Sequence, residues 1–256
     1  MQVYVNEKYI ADRAKMGRRT SMIGLMILGL GMVATFAPGW LGATLSTTPL
    51  GRWYMTTGWM IVAFASLLAG FLLGQLGNYN VRQFQRTPRP DQVVAKALKG
   101  FDDRNRLYAW ATPGDLIVAG PSGIFAIVTR GLTGKVTVVD DRVKRSFNFL
   151  RFLSWGQESG GMPANEARDA ASSVSGWLTK ELSAEEAVPV VPLVVFTSDA
   201  AELDIQSASA PILHHKKVKD YLRTQTRPTA LSKDVLQAAI NRLDEEAKRR
   251  GAQLEV

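Results

Sequence analysis

Residues 120–131 read GPSGIFAIVTRG. Gly120-Pro121 and Gly123 are turn residues, and the apolar run Ile124–Val128 is short enough for a buried strand. LIVA, residues 116–119, lies just before the turn, so the pair reads as an antiparallel hairpin. The second strand ends in Thr129 and Arg130 before Gly131 breaks it.

Further strands are expected on both sides of this hairpin, at Leu107–Ala111 and Lys135–Val139. Asp140-Asp141 suits a tight turn into another at Val143–Phe149. Residues 91–99, DQVVAKALK, predict a short helix capped by Asp91 and stopped by Gly100. Pro163 suits the first turn of a helix to about Leu182, with Ala167, Ala171, Val174 and Leu178 on its buried side. VPVVPLVVF (188–196) holds the most apolar strand, expected at Leu193–Thr197 because Pro192 cannot donate to a ladder. A short strand at Pro211–Leu213, a helix near Val218–Leu222 and a last amphipathic helix capped by Ser232 complete a mixed α/β domain.

The N-terminal third differs in kind. Ser21–Ala37 carries no charge; its 17 residues span ~25 Å as a helix, and the uncharged run continues to Leu45. Trp53–Leu76 is a second apolar run of 24 residues, reaching ~36 Å against a hydrocarbon core of ~30 Å. The pair predicts a transmembrane hairpin. Lys8, Arg13, Lys15, Arg18 and Arg19 precede the first span, and Arg82, Arg86 and Arg89 follow the second, while the connecting loop has only Arg52. The positive-inside rule then puts both termini in the cytoplasm of a protein of the cytoplasmic membrane. The alternative is a cleaved signal peptide over residues 1–43, which would put the C-terminal domain on the other side. Ser66, Gly70 and Gly74, spaced by four, suit close helix packing, either against the first span or against another subunit. The expected organisation is a basic N-terminus (1–20), the hairpin (21–78), a polar linker (79–90), the α/β domain (91–225) and a C-terminal helix (226–256).

Net charge is +8, but residues 1–90 hold 9 Lys and Arg against 2 Asp and Glu, and residues 91–256 hold 22 against 21. The basic excess is explained by topology and anionic lipid headgroups without nucleic acid. There is no cysteine, which excludes disulfides and thiolate metal sites. His214-His215 are adjacent on an expected strand and point to opposite faces, so they suit a solvated cluster with Lys216, Lys217 and Lys219 better than one metal ion.

The segment DLIVAGPSGIFAIVTRGLTGKV (115–136) resembles the NERD (nuclease-related) domain, a branch of the PD-(D/E)xK restriction-endonuclease fold. The pattern D-x-x-x-x-G-P-x-G-[VI]-F-x-[VI] is matched from Asp115 to Ile127. PxxE at Pro163–Glu166 and PVVPLVVF at 189–196 more loosely resemble later family segments, and the likeness extends over roughly residues 91–222. It implies a restriction-endonuclease-like mixed sheet flanked by helices, preceded here by the transmembrane hairpin. In such a site one acid starts the hairpin and acid-x-Lys follows on the next strand, where the two-residue period turns both side chains to one face. A divalent ion on these oxygens activates water.

Here Asp115 takes the first acid's place, but acid-x-Lys aligns with Val128, Thr129 and Arg130. Val128 cannot ligate a metal, and Arg130 does not titrate near neutrality. The family's helix acid falls near Asp91 or Gln92, and Glu166 stands where the family has Gln. Asp115, Arg130 and Glu166 also have structural readings, as a turn residue, an ion-pair partner and a first-turn acid. The expected function is therefore a catalytically inactive binding or scaffold module on a bilayer anchor, without a cofactor, partnered by a membrane protein or a second copy. One alternative is a membrane-tethered DNA- or RNA-binding protein using Arg142, Lys144, Arg145, Arg151, Phe149 and Trp155. Another is a residual magnesium nuclease.

Overall fold

The computed structural model describes residues 1–144, 160–228 and 231–255. They form two compact units, one of Met1–Ile10 with Thr87–Val256 and the other of Ala11–Arg86.

The second unit is helical. Helix α1 runs Glu7–Leu45, α2 Pro49–Trp53 and α3 Trp59–Phe84, with a π-helical turn at Tyr54–Gly58. Two 36-residue segments, Glu7–Gly42 and Pro49–Phe84, are long and apolar enough to cross a membrane, and only 11% of the apolar window of each is buried. Leu25, Leu30 and Phe64 are about two-thirds exposed.

Small residues set the distance between α1 and α3. Gly17, Gly24 and Gly31 recur every seven residues, two helical turns, so they share one face of α1. A methyl group on Gly24 would come within 2.9 Å of the Gly70 carbonyl oxygen and the Gly74 nitrogen. One on Gly31 would collide with Ser66, and one on Gly17 would come within 2.8 Å of Asn80 Cβ. Ser66 and Gly70 thus face α1 within the same hairpin, while space for a Cβ is open at Gly29 and Gly74.

Pro38 lies inside α1 and has no N–H for the carbonyl of Ala34, four residues earlier. Tyr54 Oη donates to that carbonyl from the π-helical turn. A backbone acceptor in an apolar medium is costly when unpaired, so this phenol replaces the bond that proline removes.

The first unit is built on two sheets. Its strands are β1 (Gln2–Val5), β2 (Arg106–Ala109), β3 (Leu116–Gly120), β4 (Gly123–Arg130), β5 (Gly134–Val139), β6 (Arg142–Lys144), β7 (Val191–Phe196), β8 (Ala201–Ile205), β9 (Ile212–His214) and β10 (Gln253–Glu255). Its further helices are α4 (Pro90–Ala97), α5 (Pro163–Glu181), α6 (His215–Thr224) and α7 (Lys233–Arg249). Among the described residues a seven-stranded mixed sheet has the order β10-β1-β2-β3-β4-β7-β9, and a three-stranded sheet has the order β6-β5-β8. Helices α5 and α7 bury Val174, Leu178, Leu236 and Leu243 with Tyr108, Ile117 and Ile124 of the large sheet. A second apolar cluster joins Val136 and Val138 of β5 to Val194 and Phe196 of β7 and Ala167 of α5.

Several expectations change. Residues 1–20 are not simply a basic terminus: Gln2–Val5 is a strand inside the sheet, parallel to β2 and antiparallel to β10. Cleavage after residue 43 would remove it. The helix expected from Ser21 already begins at Glu7, capped by Asn6 Oδ1 accepting from Tyr9 N at 2.9 Å. The linker 79–90 shortens, because α3 continues to Phe84 and α4 begins at Pro90. Asp91 is not its cap; Gln92 Oε1 accepts from Arg89 N instead, at 3.1 Å.

β7 includes Pro192, opposite Ala126. Val194 N donates to Pro211 at the β9 side, so the missing N–H of Pro192 falls on that same side, where β9 has not yet begun. Asp140 and Asp141 both have positive φ, 50° and 65°, as a two-residue hairpin turn requires. Residues 145–149 of the expected strand Val143–Phe149 lie outside the described residues.

The close approach of α1 to α3 makes a paired prediction. Gly24→Val should lower the thermal midpoint of the full chain in detergent, with overpacking costing about 1–3 kcal/mol. Gly29→Val, on an open face, should leave it nearly unchanged. Circular dichroism melts of the two variants against the parent check this.

Candidate functional site

The β3–β4 hairpin carries the positions that the resemblance aligns with the acids and lysine of a nuclease site. Ile117 stands opposite Ala126, and the same register continued two residues sets Asp115 level with Val128. Asp115 is exposed at the turn into β3, where its carbonyl accepts from Trp110 N at 2.8 Å. Val128 is half-buried and packs against the apolar cluster of β5, β7 and Ala167. The side chain two residues on, Arg130, is nearly buried, and its guanidinium meets Glu166 Oε2 at 2.5 Å.

Helix α5 creates this pairing. Pro163 starts the helix, and Glu166 in its first turn is favoured by the positive end of the helix dipole. Ala164, Ala167 and Ala171 are buried, which lets the helix lie close to the sheet. Glu166 N–H donates to Met162 O at 3.1 Å, fixing the turn from which the carboxylate reaches Arg130. At the positions that the resemblance aligns with acid-x-Lys, the β4 face thus holds a packed valine and a paired arginine.

The other acid implied by the resemblance is also engaged. Asp91 is 3% exposed and faces the Arg89 guanidinium, with Arg89 Nη2 at 3.1 Å. The same guanidinium takes Glu7 through two bonds, Nη2–Oε1 at 2.5 Å and Nη1–Oε2 at 3.1 Å. Burial opposes the arginine's charge, but its bonds to the two carboxylates outweigh that, and the net shift of its pKa is upward. Among the described residues no group of three His, Asp or Glu side chains converges on a metal-sized point.

No family model matches this chain, and no curated protein or solved structure is significantly similar to it.

Of the basic-aromatic segment, Arg142 and Lys144 are exposed on β6, an edge strand of the small sheet. Arg145, Phe149, Arg151 and Trp155 lie outside the described residues. The adjacent histidines have separate tasks. His214 Nε2 lies 3.0 Å from Ser198 O, and its Nδ1 accepts from Lys216 N at 3.3 Å, capping α6. His215 Nε2 instead faces Asp199 Oδ1 at 3.3 Å. The rings are nevertheless close, with centroids 4.4 Å apart.

Sequence reasoning missed a second polar system. Tyr4 stacks on Tyr108 with ring centroids 5.4 Å apart, and Tyr108 Oη donates to Asp244 Oδ1 at 2.7 Å. Arg106 pairs with the same carboxylate. Burial, then the neighbouring Asp244, push the Tyr108 phenol well above its ordinary pKa, so it remains a donor. Glu246 binds Arg249 and Arg250 at 2.7 and 2.6 Å, and Arg250 passes on to Thr112 O and, through its carbonyl, to Asn6 Nδ2. Only the short alternation in QVYV hinted that the N-terminus belongs to this core.

Two outcomes are expected. Val128→Asp should set an unpaired carboxylate against an apolar cluster and destabilise the chain by about 1–3 kcal/mol, measured by thermal unfolding. For His214, burial and then the His215 charge lower the pKa from 6.5. The unfolded chain therefore binds the proton more readily, and stability falls as pH drops below 6.5. Melts between about pH 7.5 and 5.5 should show this slope, and His214→Asn, which can cap without titrating, should flatten it.

Proposed function

We propose that this chain is a membrane-anchored binding or scaffold subunit. Its α/β domain has a nuclease-related, restriction-endonuclease-like fold that works without nuclease chemistry. The observation that carries this reading is the β4 face, where Val128 packs into an apolar cluster and Arg130 is held by Glu166. A magnesium site of this kind needs at least two converging carboxylates, and the Glu166 carboxylate is already committed to a guanidinium.

The anchor is the helical hairpin in the cytoplasmic membrane. Both termini are cytoplasmic in this reading. The basic flanks of the hairpin support that orientation, and the pairing of β1 with strands from residues 106–109 and 253–255 supports a common side for the two ends. A strand translocated across the bilayer could not join that sheet. The bilayer is thus one partner, and a membrane protein or a second copy of the chain is the other.

Purification of the full chain from membranes in mild detergent tests the subunit role. The expected result is a second protein at fixed stoichiometry, or a homo-oligomer; a lone monomer overturns it. An assay with plasmid DNA and magnesium tests the chemistry. No cleavage is expected, and magnesium-dependent cleavage abolished by Asp115→Ala would restore the nuclease reading.

A further inference from the structure

Residues 91–256 are nearly neutral in sum, yet their charges are unevenly placed. The segments 90–100 and 214–228, which contain α4 and α6, hold seven lysines and arginines and two aspartates. One aspartate, Asp91, is buried on Arg89. The two segments are one surface: Lys219 Nζ donates to Lys99 O at the end of α4, and the Arg223 guanidinium lies 5.5 Å above the Phe101 ring. Val218 and Leu222 point α6 inward, which turns its cations outward. Lys216 is paired with Asp199 at 2.8 Å, while Lys96, Lys99, Lys217 and Arg223 are exposed and Lys219 and Arg227 half-exposed.

We propose that this α4–α6 face rests on anionic lipid headgroups of the bilayer that anchors the chain. The assignment rests on the membrane-anchor reading. Chain length makes the contact accessible: α3 ends at Phe84 and α4 begins at Pro90. A link of that length reaches at most ~20 Å, so the start of α4 stays close to the headgroup layer. Charge makes it favourable, because clustered cations beside a membrane anchor are drawn to a negative surface within a Debye length. Neither α4 nor α6 exposes a large apolar side chain, so the contact is electrostatic and at headgroup level. The surface also suits nucleic acid less well. Phe101 has the Arg223 guanidinium over one face and Tyr221 is half-buried, so neither aromatic presents a fully open ring to a base.

The test uses the full chain in nanodiscs of phosphatidylcholine alone or with added phosphatidylglycerol. Acetylation of Lys99 and Lys217 by an amine-reactive reagent is followed by mass spectrometry. Both lysines should react several-fold more slowly in the anionic discs, and about 0.5 M salt should abolish the difference. Each neutralised cation should weaken docking about fivefold. The variant Lys96→Gln/Lys217→Gln/Arg227→Gln should therefore make Lys99 react alike in both discs, with an unchanged circular dichroism spectrum. Equal rates for the parent chain in both discs overturn the proposal while leaving the anchor intact. Protection by duplex DNA in neutral discs, without any effect of phosphatidylglycerol, assigns the face to nucleic acid instead. A chain that enters neither disc overturns the anchor and this proposal with it.

Discussion

Strand β1 constrains everything else in the chain. Residues 2–5 pair with residues 106–109 on one side and with 253–255 on the other. The polypeptide therefore leaves this unit near Ile10 and returns to it near Thr87, with two long apolar helices in the excursion. Asn6 stands at the exit. Its carbonyl oxygen caps α1 while its amide donates to Arg250 at the end of α7. Arg89 stands at the return, binding Glu7 in the first turn of α1 and Asp91 in the first turn of α4. Two helix N-termini, each carrying an acid that its dipole favours, are thus bridged by one guanidinium. Such a bridge, from buried Asp91 to half-exposed Glu7, holds geometry as much as it adds stability, because the cost of burying charge offsets much of the attraction.

The excursion has different physics from the unit it leaves. Its outward residues are apolar, so burial against water cannot hold its helices together in a lipid setting, and contact must come from close packing. The Gly17, Gly24 and Gly31 stripe provides that closeness, matched by Ser66, Gly70 and Gly77 on α3. Pro38 would leave a backbone acceptor unpaired in the same setting, and the Tyr54 hydroxyl compensates. The π-helical turn that begins at Tyr54 belongs to the same adjustment, since it carries the residue that makes the compensating bond.

Much of this was legible in the sequence because local rules and tertiary packing agreed. The two apolar runs, the 120–131 hairpin, the Pro163 helix start and the Ser232 cap all follow from short-range patterns. What was not legible depends on distant partners. QVYV is four residues long, and its place as an internal strand comes from Tyr108 and from a β10 strand about 250 residues away in sequence. Strand β8, AELDI, has only a weak alternation and owes its state to parallel pairing with β5. The Asp91 cap failed because Pro90 took the first helical position and Gln92 offered the better acceptor to Arg89. At the candidate site, Val128 and Arg130 were visible as departures from acid-x-Lys, but the role of Glu166 as the arginine's partner required the packing of α5 on β4.

That partnership accounts physically for how α5 seats on β4. A carboxylate at position 128 would need a metal or a cation to offset its desolvation against Val136, Val194 and Ala167; valine needs neither. Two residues on, the Arg130 guanidinium keeps its charge near neutrality and meets the Glu166 carboxylate at 2.5 Å. Glu166 supplies that carboxylate from the first turn of α5, where the helix dipole already stabilises it. The contact between α5 and β4 is set by apolar packing and an ion pair. Packing and pairing of this kind commit the β4 face to the interior of the unit, whereas Lys96, Lys99, Lys217 and Arg223 of the α4–α6 face stay exposed.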